Sequence, residues 1–343
     1  MILVTGGAGY IGSILVEMLL AKEYPVVVID NLQQGHREAV LPGARFIQAD
    51  VANIRVLDAL FSCFKVDAVM HLAADSIVSK SMSNPQLAFS NNISNGIILL
   101  NTMIKHDVKK LIFSSSAAVY GQPCKVPIME DHPLKPVNPY GETKLIFEKI
   151  LHWYGKAYGL KHISLRYFNA AGASEKLGED HLPETHLIPN ALKAVLNPEL
   201  PLKIFGNDYP TQDGSCIRDY IHVIDIARAH TLALEKIDDL TGRAYNLGNG
   251  NGYSVLEVVK AVEEICGIEV PVVISPCREG DPSTLTASAG KARVELDWEP
   301  QCPDLKSIIG SAWRWIQSHS EGYLDSFDTK HDHISQGING LSF

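Results

Sequence analysis

The sequence has little of what membrane, secreted or nucleic-acid-binding proteins depend on. No apolar run approaches the roughly 18 residues that cross a bilayer, and no basic stretch precedes the first apolar segment. Neither a membrane span nor a secretory leader is therefore expected, and the chain reads as cytoplasmic. Its six cysteines, Cys63, Cys124, Cys216, Cys266, Cys277 and Cys302, lie far apart and form no Cys-x-x-Cys pair. That spacing argues against a zinc site or a disulfide framework and suits packing residues in a reducing compartment. The thirteen histidines offer no metal-ligand spacing except His331-Asp332-His333, in a polar tail read as solvated, so no metal is expected. Positive charge is scarce as well: 30 Lys and Arg against 39 Asp and Glu leave a formal charge of -9. Nucleic acid is not attracted by such a surface, and any anionic ligand must be held by a few local arginines. Internal repeats and long linkers are absent.

What is present begins almost at once. Met1 to Val4 are apolar and short enough for a buried strand, and "YIGSILVEMLLA" places apolar residues at helical spacing. Between them, in "VTGGAGYIGS", Gly7, Gly9 and Gly12 match the G-x-G-x-x-G turn, whose glycines let the backbone approach a pyrophosphate at a helix N-terminus. A second strand, "PVVVID", ends in Asp30, close to the expected spacing for a carboxylate on the adenosine ribose. Asp30 repels a 2'-phosphate and favours NAD, while Arg37 nearby keeps NADP as the alternative. Further short apolar runs, "RFIQAD", "AVMHLAA", "KLIFSSS" and "HISLRYFN", read as strands. They alternate with the helical patterns "ANIRVLDALFSCF", "NNISNGIILLNTMI" and "GETKLIFEKILHWYGKAYG". Regular alternation predicts an α/β fold with a doubly wound parallel sheet and ligands at the carboxyl ends of its strands. After about residue 170 the pattern loosens into Gly-, Pro- and Asn-rich stretches, which predicts a smaller, partly discontinuous lobe. A chain of 343 residues with 46% apolar content is long enough for both.

Chemistry gathers at the strand ends. "LIFSSSAAVYG" ends a strand with three serines, and "NPYGETK" starts a helix that sets Tyr140 and Lys144 four residues apart, on one face. A free tyrosine titrates near pH 10, so a tyrosine base needs a neighbouring cation, each tenfold gain in phenolate requiring about 1.4 kcal/mol. A serine hydroxyl from the strand end can hold the same substrate oxygen.

In this order "TGGAGYIG", "HLAA", "SSSAAVYG", "PYGETK" and "RYFNAAG" resemble the extended short-chain dehydrogenase/reductase superfamily over most of the chain. "IFGNDYPTQDGSCIRDYIHVIDIARAH" and "CREGDP" resemble its UDP-glucose (UDP-galactose) 4-epimerase family. The resemblance implies a Rossmann-type NAD-binding domain over residues 1–170, with 217–246 packing back on it. It also implies a UDP-sugar-binding, mixed α/β lobe over 171–320, and residues 321–343 read as a loose tail. It implies Ser116, Tyr140 and Lys144 as the catalytic set, with Tyr140 the acid/base. Around NAD it implies Gly6, Gly7, Gly9 and Gly12 in the turn, and Tyr10 and Ile11 on the pyrophosphate. Asp30 and Asn31 would hold the ribose, Asp50 and Val51 lie near adenine, and Leu72, Ala73, Ala74, Asn91 and Phe168 lie along the cofactor. For the UDP-sugar it implies Asn169 on a diphosphate oxygen, His186 near the sugar, and Lys203, Ile204 and Phe205 beside uracil. Arg218 and Arg278 would neutralise the diphosphate, as arginine's bidentate fork suits, and Asp281 would hold the uridine ribose.

The implied reaction is redox-neutral: NAD-dependent oxidation at sugar C4, rotation of the 4-keto sugar, and hydride return to its opposite face. UDP-glucose and UDP-galactose are thereby interconverted, and a homodimer through helices near 91–106 and 142–158 is implied. Two departures from the pattern stand out. Ser76 replaces a lysine found in some members, and Leu285 replaces a tyrosine beside the sugar, leaving room for UDP-N-acetylhexosamines. UDP-N-acetylglucosamine and UDP-glucuronate 4-epimerases remain alternatives. A 4,6-dehydratase would need an Asp-Glu pair where Ala117 and Ala118 stand, and a non-catalytic NAD(P) sensor would have no need for Ser116, Tyr140 and Lys144 together.

Overall fold

In the computed structural model, residues 1–278 and 281–324 are described. His331-Asp332-His333 and most of the expected tail lie outside the described residues. Among those described, the strands are β1 (Ile2–Thr5), β2 (Val26–Asp30), β3 (Arg45–Gln48), β4 (Ala68–His71), β5 (Lys110–Ser116), β6 (Lys161–Tyr167), β7 (Asn169–Ala171), β8 (Leu202–Phe205), β9 (Ile217–His222), β10 (Arg243–Leu247), β11 (Gly252–Ser254), β12 (Val272–Ser275) and β13 (Thr284–Leu285). The helices are α1 (Tyr10–Ala21), α2 (Ile54–Cys63), α3 (Val78–Ser83), α4 (Pro85–Phe89), α5 (Asn95–Lys105), α6 (Pro139–Tyr158), α7 (Leu187–Leu196), α8 (Val223–Glu235), α9 (Val255–Cys266), α10 (Gly290–Leu296) and α11 (Leu305–Ser318).

Seven parallel strands form the main sheet in the order β10-β6-β5-β4-β1-β2-β3. β1 and β2 are buried along their whole length, which is why they read as unbroken apolar runs rather than alternating ones. Helices cover both faces: α1 and α8 bury Ile14, Leu15, Ile226 and Ala229 on one side, while Leu57, Leu99, Phe147 and Leu151 fill the other. The chain order reverses between β1 and β4, so a crevice opens above their carboxyl ends. A second core gathers α7, α9 and α11 around Leu192, Val258, Ile308 and Trp315. Beside it stand a small sheet built on β9, paired with β7, β11 and β13, and the parallel pair β8–β12.

The segment 217–246 divides between the two parts: β9 belongs to the small sheet, α8 packs on α1, and β10 adds the outermost strand next to β6. The helix expected over 91–104 is longer and composite. It runs from α4 through a π-helical turn at Ser90–Ser94 into α5. Residues 321–324, expected to begin a loose tail, are held: the Tyr323 N–H donates to Asp180 (3.0 Å), its ring stacks on His36, and the Leu324 N–H donates to Glu38.

Candidate active site

A cleft of about 960 Å³ runs across the carboxyl ends of the main sheet and under the second core. Every site residue singled out from the sequence lines it except Gly7. Gly7 serves the turn from below, because a Cβ there would meet the Val28 side chain at 2.8 Å.

At one end lies the glycine turn. Gly6 adopts φ +70°, a conformation that favours glycine, and a Cβ on Gly12 would lie 2.1 Å from the Gly6 carbonyl oxygen. The turn leaves Gly9 open, with nothing nearer its Cβ position than 3.5 Å, and Gly9, Tyr10, Ile11 and Gly12 line the cleft where α1 begins. A carboxylate closes this end. The Ala8 and Leu32 N–H groups donate to the two oxygens of Asp30 at 3.0 and 2.9 Å, fixing it at the tip of β2, while burial raises its pKa. Asn31 donates to Asp50, which also accepts from Ala52 and Asn95. Arg37, the residue that would suit a 2'-phosphate, stacks on Phe46 at 4.7 Å and does not line the cleft. These features fit an adenine dinucleotide with free ribose hydroxyls, and replacing Asp30 tests the fit. Asp30→Asn keeps one acceptor oxygen for two backbone donors. It is expected to weaken NAD binding at least about tenfold, since a charge-assisted hydrogen bond contributes about 1.5–3 kcal/mol; titration calorimetry on stripped protein reads it.

In the middle, β5 delivers Ser116 and the start of α6 delivers Tyr140. Asn138 caps α6 by accepting from the Gly141 N–H (2.8 Å), with Pro139 in its first turn, so the helix begins at a fixed point beside the sheet. The Ala118 N–H donates to Ser116 Oγ (3.1 Å), and the Ser116 hydroxyl hydrogen-bonds the Tyr140 phenol. Lys144 lies one turn along, fully within the protein. Its Nζ donates to the Ser114 carbonyl at 2.9 Å and sits 5.6 Å from the Tyr140 ring centre. Burial raises the Tyr140 pKa, with the Ser116 hydrogen bond opposing it. Burial also lowers Lys144 to about 7, with Glu148 opposing. The cation expected to depress the tyrosine is thus held to the strand carbonyl and only partly charged at neutral pH.

Residues that no sequence motif singles out, together with Asn91, hold this centre. Glu148, one turn beyond Lys144, accepts from Arg166 Nε and Nη2 at 2.9 and 2.5 Å and from the Ser115 hydroxyl at 2.6 Å. Arg166 reaches on to the Tyr120 hydroxyl, which donates to Asn246. Asn92, inside the π turn, accepts from the Asp75 N–H and donates to Thr143 (3.0 Å), while Asn91 donates to Asp75. The extra residue of a π turn re-aims side chains, and here it turns both asparagines toward the cleft wall.

At the far end stand the basic groups. Arg218 on β9 donates to Asp281 at 2.6 Å, and Arg278 lies over the Phe205 ring at 3.9 Å. Leu285 pairs in register with Arg218, and Lys203 and Ile204 come from β8. Asn169 begins β7, next to Phe168. His186, with its side chain half exposed, contacts Glu179, whose charge raises its pKa to about 9. Ser76 lines the wall as well. No helix of the described residues is long and apolar enough to cross a membrane.

Comparison with known proteins agrees with this layout. The chain is 49% identical over 325 residues to the UDP-glucose 4-epimerase of Halalkalibacterium halodurans, covering 94% of this chain and 97% of that protein. It is 50% identical over 327 residues to that of Lacticaseibacillus casei, covering 94% and 99%. A crystal structure of the Bifidobacterium longum UDP-glucose 4-epimerase in complex with NAD+ and UDP superposes with a TM-score of 0.89 at 37% identity, covering 94% of this chain and 99% of that one. Residues 2–248 match the NAD dependent epimerase/dehydratase family, and the chain belongs to that family.

Proposed function

We propose that the protein interconverts UDP-glucose and UDP-galactose by inverting the sugar at C4, with NAD as a resident cofactor. The observation that carries this is the convergence on one cleft of a dinucleotide turn, a Ser–Tyr–Lys set and two arginines. NAD, held by the glycine turn and Asp30, would supply the hydride acceptor and donor and a positively charged ring. Tyr140 takes the proton from the 4-hydroxyl and later returns it, and Ser116 holds the same oxygen in line. Lys144 favours the phenolate while charged. Arg218 and Arg278 bind the diphosphate, and Asp281, released from Arg218, turns to the uridine ribose. Anchoring through the diphosphate leaves the hexose free to present either face, because binding energy is drawn from groups remote from C4. Ala117 and Ala118, following Ser116, offer no acid or base for elimination, which disfavours a dehydratase.

The test is to incubate purified protein, without added cofactor, with UDP-galactose and read products by proton NMR. UDP-glucose without net NADH is expected. No turnover even with NAD supplied would overturn the reading. UDP-N-acetylgalactosamine is also expected to turn over, because Leu285 leaves space beside the 2-position. Leu285→Tyr should cut that activity at least about tenfold while UDP-galactose turnover persists, the size of effect a filled pocket produces.

The same reading includes cytoplasmic residence and a homodimer formed through α5 and α6. Trp153 and Tyr158, on the later turns of α6 beyond the cleft residues Tyr140 and Lys144, are 64% and 52% exposed, an unusual display of aromatic surface. Light scattering is expected to give twice the 37.6 kDa chain mass, and Trp153→Glu to shift it toward the monomer.

A further inference from the structure

The segment Glu179-Asp180-His181-Leu182-Pro183-Glu184-Thr185-His186 gathers carboxylates and imidazoles in one loop, although the sequence alone gives no expectation of a metal. We propose that Glu179, His181, Glu184 and His186 bind one divalent transition-metal ion of the zinc class in the cleft wall. One donor atom from each lies within 4.8 Å of the others. Tetrahedral donors about 2.1 Å from zinc stand roughly 3.4 Å apart, so the farthest pair closes by little more than an ångström.

The Nδ1 atoms of His181 and His186 converge on the same oxygen of Glu179, His181 at 3.1 Å and His186 in closer contact. An ion would take the place of the protons between them, and its binding releases those protons. Glu184 supplies the independent observation. One oxygen accepts the Thr185 and His186 N–H groups at 2.7 and 2.8 Å, while Oε2 is buried with no hydrogen-bond partner. A buried carboxylate oxygen without a donor beside a second carboxylate is costly unless a cation joins them. Two neutral imidazoles and two carboxylates balance a divalent charge, and mixed nitrogen and oxygen donors favour zinc-like ions over calcium or magnesium.

The loop is already tied down beside the cluster: the Asp180 carboxylate accepts from the Tyr323 N–H, the Gly178 N–H just before the segment donates to the Tyr323 hydroxyl, and His186 stands at the N-cap position of α7 without a side-chain cap hydrogen bond. The ion would thus fasten the loop against Tyr10, whose ring the His181 edge faces. Its role is to shape the wall beside the sugar nucleotide, apart from the hydride chemistry.

The test uses the full chain with its NAD. Protein stripped with EDTA is dialysed against zinc and metal per chain is measured by mass spectrometry; cobalt(II) is titrated in parallel by visible absorption. One ion per chain is expected in the parent and in His331→Ala/His333→Ala. His181→Ala should lose it and Glu184→Gln should bind at least about tenfold more weakly, both keeping NAD and native circular dichroism as evidence of folding. The proposal is overturned by no zinc above background in the parent, by equal binding in folded His181→Ala, or by loss confined to the tail variant.

Discussion

Tyr140→Phe is expected to keep NAD and to bind UDP-galactose with little change, while kcat falls by about 10²–10⁴, the range for removing a general acid/base. The substitution deletes one hydroxyl and leaves the ring, so the packing of Tyr140 at the start of α6 survives. The Asn138 cap, the Ser116 anchor at Ala118 and the Lys144 contact with Ser114 do not involve the phenol. A loss concentrated in kcat rather than KM identifies an interaction made in the transition state. Proton NMR progress curves with NAD content measured after gel filtration give both quantities. Near-normal turnover would move the base elsewhere; loss of bound NAD would make the tyrosine a cofactor anchor instead. Because burial raises the phenol's pKa, its ionisation depends on charge brought near it. Lys144→Met is therefore expected to move the rising limb of the kcat–pH profile to higher pH.

Most of the sheet is legible in the sequence because its inner strands are buried on both faces. A run such as "KLIFSSS" can be nothing shorter or longer when Gly and Pro lie well outside it, and β5 spans those seven residues. The glycine turn and Asp30 are legible for a different reason: steric exclusion at Gly12 and the strand-end position of the carboxylate are local facts. Legibility fails where partners are set by tertiary stacking. The helix over 91–104 reads as regular since a π turn leaves no periodic trace. Helical spacing places Lys144 beside Tyr140, but its dominant contact is a carbonyl of β5, which that spacing does not reveal. Arg166 does leave a signal. It stands inside "HISLRYFN", a strand buried on both faces, where an arginine requires a carboxylate. The spacing from Lys144 to Glu148 points to the partner, one turn along the same helix. Around Glu179 the sequence reading finds no ligand spacing, because the four side chains lie in a loop where no element predicts that they turn inward together.

Glu148→Ala is expected to damage stability and turnover by separable routes. Arg166 and Glu148 are 5% and 11% exposed and meet through two hydrogen bonds. Removing the carboxylate leaves a buried guanidinium facing only the Tyr120 hydroxyl, and breaking such a pair from one side costs about 3–5 kcal/mol. A large drop in the urea midpoint at pH 7 with an unchanged slope would report that cost. The second route runs through Lys144. Glu148 is the charge that opposes the effect of burial on the ammonium, so without it the Lys144 pKa falls below its value of about 7. Tyr140 then loses its neighbouring cation over most of the working range, and kcat is expected to fall while KM holds. Glu148→Leu combined with Arg166→Met separates the two. Replacing both partners by apolar groups of similar volume removes the unpaired charge, and stability should return most of the way, as it does when buried ion pairs are exchanged for packed side chains. Lys144 remains uncompensated in that double variant, so turnover should stay low. Recovery of both together would mean that Glu148 acts on catalysis only by keeping the fold intact. Recovery of stability alone would make it a positioning residue, holding the charge of Lys144 against the desolvation that the strand end imposes.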